Sequence, residues 1–318
     1  MNVSKIIERC AITIGVFLLI GLPAVSYAQV DFDGIFIFGD SLSDGGNIYQ
    51  LTGETSKAPY AVIPARPYAI GGHHFSNGKT WAERLAQGLN YNTGGKASLH
   101  NPGKNGNYAF GGARARSNSG SSSPDSGMQV TMYLGDYGSA SANALYVVQF
   151  GGNDLRDALV TAQSDVDAAF LIIQTAVQEL VANIQRLHTA GARNFLVANA
   201  PNLAHAPAIK LMGASGVAGL FTGLYNGGLE GGLQQLELGI PDIKIYRLDV
   251  GGIVDDIVAN PGDFGLTNVD FPCLTFYSES DAKCDNPEEH LFWDGIHPTA
   301  AGHNVLSAVA TAVVTGNK

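Results

Sequence analysis

The chain has 318 residues, 45% of them hydrophobic and 14% charged. That is enough apolar material for one large α/β domain or two small ones, and it excludes a disordered chain or a coiled coil. A formal charge of −10 makes the protein a poor partner for nucleic acid, whose phosphates it would repel.

At the N-terminus, Lys5 and Arg9 precede an apolar run from Ala11 to Leu22, and the small-residue sequence Ser26-Tyr27-Ala28 follows. This is the pattern of a secretory signal cleaved after Ala28, since the apolar run is shorter than the ~20 residues that span a bilayer. Residues 1–28 are therefore read as signal peptide and residues 29–318 as the folded domain, secreted or periplasmic. Loss of Lys5, Arg9 and Glu8 removes two positive charges and one negative, taking −10 to −11. Cys10 leaves with them, so Cys273 and Cys284 remain as an even pair in an oxidising compartment and are expected to form a disulfide. Two cysteines with no His-rich motif nearby do not make a four-ligand zinc site, and no metal is expected there.

Ile35-Phe36-Ile37-Phe38 is an apolar run that stops at Gly39 and is followed by Asp40-Ser41-Leu42-Ser43. It reads as a strand buried on both faces, the kind found in parallel sheets flanked by helices. In such sheets ligands lie beyond the carboxyl ends of the strands, which is where Ser41 falls. Gly39 allows a sharp exit and Gly45-Gly46 a second turn, so Ser41 is expected near a helix N-terminus, where negative charge is favoured. The G-x-S-x-G nucleophile elbow is absent, because position 43 is Ser.

Between Gln50 and Asn77, Pro59, Pro64 and Pro67 predict an irregular surface excursion, either a wall of a binding site or a solvated insertion. Thr80-Trp81-Ala82-Glu83 then predicts a helix with a capping box and an apolar face of Trp81, Leu85 and Leu89. Asn107 to Ala113 ends in Gly111-Gly112, where the backbone must turn or approach another group closely. Ser117 to Gly127 is Ser- and Gly-rich and reads as a loop.

Leu145 to Phe150 is a second strand, again with special residues at its carboxyl end, Gly151-Gly152-Asn153-Asp154. A neutral Asn there offers two N–H donors without the desolvation cost of a charge, although Asn-Asp is also common turn chemistry. Ser164 to Gly191 predicts a long helix with Ile173, Val177, Leu180, Ile184 and Leu187 on one face. Further strands are expected at Phe195–Val197 and Ile243–Leu248, with a Gly-rich helix from about Gly216 to Leu238 between them. Strand and helix alternate throughout, which argues for a parallel sheet with helices on both sides and no internal repeat.

Asn260 to His290 is loop-like and acidic, without the spacing of a calcium-binding hand. It leads into Trp293-Asp294-Gly295-Ile296-His297-Pro298. An Asp and a His three apart, held by Gly and Pro, can meet side chain to side chain in a turn and leave the second imidazole nitrogen free for a serine. His73, His74, His100, His205, His290 and His303 lack such company and read as solvated or structural.

These blocks together resemble the GDSL (SGNH) esterases and lipases of the larger secreted bacterial type: Gly39-Asp40-Ser41-Leu42, then the Gly111-Gly112 pair, Gly151-Gly152-Asn153-Asp154 and Asp294-x-x-His297, in that order. The resemblance covers essentially the whole mature chain. It implies a three-layer α/β/α sandwich with a central parallel sheet, flavodoxin-like in plan. It also implies a catalytic Ser41, Asp294 and His297, and an oxyanion hole from the Ser41 and Gly112 backbone N–H groups and the Asn153 amide, with Gly111 as the other reading for the backbone donor. The expected activity is a serine ester hydrolase of esterase, lipase or lysophospholipase type, acting through an acyl-enzyme without metal or organic cofactor. The expected partner is a small-molecule or lipid ester, with transient contact to membrane lipid. Carbohydrate acetylesterase and lipid acyltransferase are the alternatives within enzymes, and a binding module on a hydrolase scaffold the alternative outside them.

Overall fold

The four apolar runs fold as β1 (Ile35–Gly39), β2 (Leu145–Gln149), β3 (Asn194–Ala198) and β4 (Lys244–Leu248). In the computed structural model, which describes residues 31–52, 74–118, 120, 121, 123–274 and 284–316, they form one parallel sheet in the order β1-β2-β3-β4. The expected signal at 1–28 and residues 53–73 of the Pro-rich excursion lie outside the described residues. Ile37 stands opposite Val147, and Val147 opposite Leu196. Because successive side chains point to opposite faces, Phe38, Tyr146, Val148, Phe195 and Val197 enter one core, while Ile37, Leu145, Val147, Leu196 and Ala198 enter the other.

Nine α-helices among the described residues connect and cover the sheet. They are α1 (Asn47–Thr52), α2 (Trp81–Gly88), α3 (Ser126–Tyr137), α4 (Gly152–Thr161), α5 (Val166–Thr189), α6 (Pro207–Leu211), α7 (Ser215–Gly239), α8 (Val250–Ala259) and α9 (Ala300–Thr315). Trp81 and Leu85 of α2 and Leu306, Ala310 and Val314 of α9 close one face, and α3, α5 and α7 close the other, so the expected three layers are present. The capping box at α2 forms: Thr80 Oγ1 accepts from the Glu83 N–H, and Glu83 accepts from the Thr80 N–H.

Outside β1 runs a further extended segment. The Ile37 N–H donates to Gly106 O at 2.8 Å, the Tyr108 N–H to Ile37 O at 2.7 Å and the Phe110 N–H to Gly39 O at 3.1 Å. The chain therefore leaves β1 on one side and returns through β2 on the other. Strand order reverses at β1, which is the place where open α/β sheets leave a crevice for ligand, and Ser41 stands just beyond its carboxyl end.

Several boundaries differ from the expectation. The Ser/Gly stretch does not stay irregular through Gly127, because Asp125 caps α3 by accepting from the Met128 N–H at 2.9 Å, and Ser126 is already buried, donating to Ala115 O. The long helix starts at Val166 rather than Ser164, since Asp165 supplies the cap. Ahead of it the separate helix α4 fills residues 152–161. No helix follows Ser41 directly: Asp40 O accepts from the N–H groups of Ser43 and Asp44 in a tight turn, and α1 begins only at Asn47. The helix N-terminus that borders Ser41 is that of α4, which comes from a distant part of the chain.

Cys273 and Cys284 form the expected disulfide. Cys273 and Leu274 pair with the segment that leads into Asp294: the Cys273 N–H donates to Phe292 O at 2.9 Å and the Leu274 N–H to Trp293 O at 2.7 Å. The two cysteines, Leu274 and Trp293 make a small apolar cluster of their own. Closing a loop of this size restrains the unfolded chain by roughly 3 kcal/mol on the loop-entropy estimate. The position of the ladder matters more, because a catalytic group displaced by ~1 Å can lose on the order of a hundredfold in rate. We expect the double Cys→Ser variant to lose activity on warming before circular dichroism reports the main transition. Activity and fold melting together, or two free thiols in the purified protein, would rule this out.

Among the described residues no helix is long and apolar enough to cross a membrane, and no cluster of His, Cys, Asp or Glu could hold a metal ion.

Candidate active site

The turn at the end of β1 is shaped by groups too close for a larger side chain. A Cβ on Gly39 would lie 2.9 Å from Gln149 O, so only glycine lets β1 approach β2 there. Gln129, reaching in from α3, accepts from the Gly39 N–H at 2.9 Å and donates to Gly39 O at 2.8 Å. Asp40 Oδ1 accepts from the Leu42 N–H at 3.0 Å, and its other oxygen accepts from Gln149 Nε2 at 3.2 Å. Burial pushes the Asp40 carboxyl up to about 6, against the pull of those two donors.

Ser41 is held at the top of this turn. Its Oγ lies 2.8 Å from His297 Nε2, and His297 Nδ1 lies 2.7 Å from Asp294 Oδ2. Asp294 Oδ1 also accepts from the N–H groups of Ile296 at 2.8 Å and His297 at 2.7 Å, which closes the Asp-x-x-His turn on itself. Burial alone would raise the Asp294 carboxyl. The His297 charge and these hydrogen bonds outweigh it and hold Asp294 below the usual carboxylate range. All three side chains are buried or nearly so, with His297 packed beside the Phe75 ring at a centroid distance of 5.1 Å. The loop is tied from outside by Ser76 Oγ donating to Pro298 O at 2.9 Å and the Ala300 N–H donating to Asn77 Oδ1 at 2.6 Å.

The Gly111-Gly112 ambiguity is narrowed by the hydrogen bonds. Asp44 Oδ2 takes the Gly111 N–H at 2.7 Å, so that donor is committed. Among the described residues nothing accepts from the Gly112 N–H, and Gly112 adopts a positive φ of 78° that turns the chain toward Ala113. Asn153 Nδ2 donates to Ala113 O at 2.9 Å, leaving its second amide hydrogen uncommitted one residue away from Gly112. Asn153 sits in the first turn of α4, placed there by Gly151. Gly151 has φ 120°, and a Cβ on it would come within 2.5 Å of the Tyr225 ring.

Ser43, by contrast, is fully buried and donates to Gln149 Oε1 at 3.1 Å, away from the cleft. Asp154 is structural, accepting from the Ala115 N–H at 2.7 Å and pairing with Arg116. His74 pairs with Glu83, His188 with Asp242 and His205 with Asp255. His303 accepts from the Trp81 N–H at 3.2 Å, and burial lowers it to about 3, so it stays neutral.

Sequence reasoning did not anticipate the scaffold of buried polar groups beneath the site: Gln129, Gln149, Asp44, Asn47 and Asn107. Asp44 gathers the N–H groups of Gly46, Asn47, Ile48 and Gly111, while Asn47 bonds Asn107 O and Ala109 O, locking the Ser41 turn to the Gly111 turn. The one available signal was their position inside or just after the conspicuous blocks. Arg156 was also missed. It lines the same cavity as Ser41, Asn153 and His297.

That cavity, of about 40 Å³, shares Leu42, Pro201, Leu203 and Ile296 with a second one of about 40 Å³ that runs beneath Val254, Phe292 and Leu306 and is almost wholly apolar. The arrangement joins a hydroxyl, a base already oriented by a carboxylate, free N–H donors and an apolar recess. It can carry out attack on a carbonyl.

The GDSL-like Lipase/Acylhydrolase family profile matches residues 35–309. A GDSL esterase/lipase of Arabidopsis thaliana is 25% identical, over 96% of this chain and 93% of its own. The thermolabile hemolysin of Vibrio parahaemolyticus is 26% identical, over 86% of this chain and 62% of its own. Among solved structures, an α/β hydrolase from the metagenome of Lake Arreo aligns over 89% of this chain and 94% of its own, at 16% identity and a TM-score of 0.46. An extracellular lipase of Streptomyces rimosus aligns over 90% and 99%, at 15% identity and a TM-score of 0.40.

Proposed function

Because this chain belongs to the GDSL-like lipase/acylhydrolase family and is on that ground a carboxylic ester hydrolase, we propose that it works through an acyl-enzyme on Ser41. The observation that carries the reading is the line from Ser41 Oγ through His297 to Asp294, with separations of 2.8 and 2.7 Å. His297 Nε2 takes the Ser41 proton while Asp294 holds the ring and stabilises the imidazolium. Ser41 Oγ then bonds to the ester carbon, and the carbonyl oxygen becomes an oxyanion. The N–H groups of Ser41 and Gly112 and the free Asn153 amide hydrogen meet that charge, already in place before it develops. Collapse of the intermediate breaks the C–O bond to the alcohol, which leaves with the proton from His297. Water deprotonated by the same His releases the acid, and an acceptor alcohol in its place would complete an acyl transfer.

The apolar recess beside Leu42 gives the acyl arm a dry place to lie. Export, with removal of residues 1–28 and residues 29–318 forming the hydrolase domain, belongs to the same reading and is supported by the disulfide. The intact mass that counts thiols in the exported protein also reports whether it begins at Gln29. A fluorophosphonate probe is expected to label the protein once, with the modified peptide mapping to Ser41. A label on Ser43, or none on active protein, would sink the nucleophile assignment.

A further inference from the structure

Helix α4 carries two carboxylates and a guanidinium within four residues, and helix geometry separates them. Residues three apart share a face, while residues two apart do not. Asp154 and Asp157 turn toward the loop after Gly112, where Arg116 Nη1 meets Asp154 at 2.7 Å and Arg116 Nη2 meets Asp157 at 2.7 Å. Arg114 Nε meets Asp157 at 2.9 Å as well. Both carboxylates are therefore taken by other arginines.

Arg156 shares its face with Asn153, lines the cavity above Ser41 and is exposed. Among the described residues no carboxylate pairs with it. Among those residues its one polar contact is a long approach of Nη1 to Asn153 Oδ1 at 3.4 Å, which leaves most of its N–H fork uncommitted. In a chain of net charge −10, the cation beside the nucleophile is thus left without a carboxylate partner among the described residues.

We propose that Arg156 binds an oxyanion, phosphate or carboxylate, carried by the ester substrate a few bonds from the carbonyl that Ser41 attacks. The inference rests on the ester-hydrolase reading above and narrows its substrate. A guanidinium grips either group through two parallel N–H bonds, and its nearness to Asn153 keeps that anchor close to the reacting carbonyl. With the acyl arm in the apolar recess, the charged arm is the alcohol side, which departs. Arg156 is a residue for recognition rather than for bond making.

The test uses three soluble esters of one acyl length: monobutyryl glycerol, its phosphate, and butyryl glycerate. The full-length mature enzyme is expected to show a kcat/KM for at least one of the charged esters about tenfold or more above the neutral one. Arg156→Met should remove that preference, a loss of about ten- to a hundredfold on the charged ester, with the neutral ester changed by less than about threefold. Arg156→Lys should fall between, since it keeps the charge and loses the fork. Presenting the phosphate on a lysophospholipid in neutral vesicles separates the two sources: a preference kept there points to a headgroup, one confined to the soluble esters to a water-soluble substrate, and each supports the inference. An equal loss on neutral and charged esters would make Arg156 a support for Asn153 and overturn it, as would a wild-type enzyme indifferent to charge. A protein inert toward all three esters and toward the fluorophosphonate would instead overturn the hydrolase reading, and the inference with it.

Discussion

Replacing Ser41 by alanine is expected to lower ester hydrolysis by roughly three to six orders of magnitude, with the thermal transition left in place. Only the hydroxyl is removed, and among the described residues its one partner is His297 Nε2 at 2.8 Å. Nothing in the core leans on it. The turn itself is held by Asp40, Gln129 and Gln149 rather than by the serine side chain. Ser43→Ala makes the informative comparison, because it removes a buried hydrogen bond to Gln149 and should cost about 1 kcal/mol of stability with little effect on turnover at low temperature. The measurement is kcat on a soluble ester together with the melting curve of each variant. Turnover surviving in Ser41→Ala and vanishing in a folded Ser43→Ala would overturn the assignment.

Asn153→Ala is expected to cost about 2.7 to 4 kcal/mol of transition-state stabilisation, a loss of about a hundred- to a thousandfold that appears in kcat. The argument is one of timing. The amide hydrogen not used by Ala113 O gains its full value only when the carbonyl oxygen becomes an oxyanion, so ground-state binding changes little. The same substitution leaves Ala113 O without its 2.9 Å partner, and a modest drop in stability should accompany the kinetic loss. A variant with unchanged kcat and a raised KM would move Asn153 from the oxyanion hole to substrate binding.

The Ser41 turn and the His297 turn lie 256 residues apart, and their meeting is a property of the fold. Each was legible by itself. An apolar run ending in Gly39-Asp40-Ser41 reads as a buried strand that stops abruptly, and Asp294-x-x-His297 closes its own ring with bonds to residues two and three positions on. The same locality made the four strands, the α2 capping box and the Cys273–Cys284 pairing readable, since short-range pattern, caps and cysteine count need no knowledge of neighbours.

What sequence could not decide is whatever depends on a partner brought in from elsewhere. Helix α3 begins inside a Ser/Gly-rich stretch at its local cap Asp125, but what makes that segment part of the core is that Ser126 and Gln129 find acceptors on Ala115 and Gly39, contacts that the composition of the stretch does not register. Gly112 rather than Gly111 is left as a free donor because Asp44, far back in the chain, has taken the Gly111 N–H. Among the described residues Arg156 has no carboxylate partner, because Arg114 and Arg116 hold Asp154 and Asp157 on the far side of its helix. The sequence by itself determined the strands, the Asp-His turn and the serine at the end of β1, because those follow from spacing along the chain. Only the tertiary structure decided which N–H groups and which cation remain uncommitted at the cleft, because a donor is free or taken according to neighbours that folding alone brings within 3 Å.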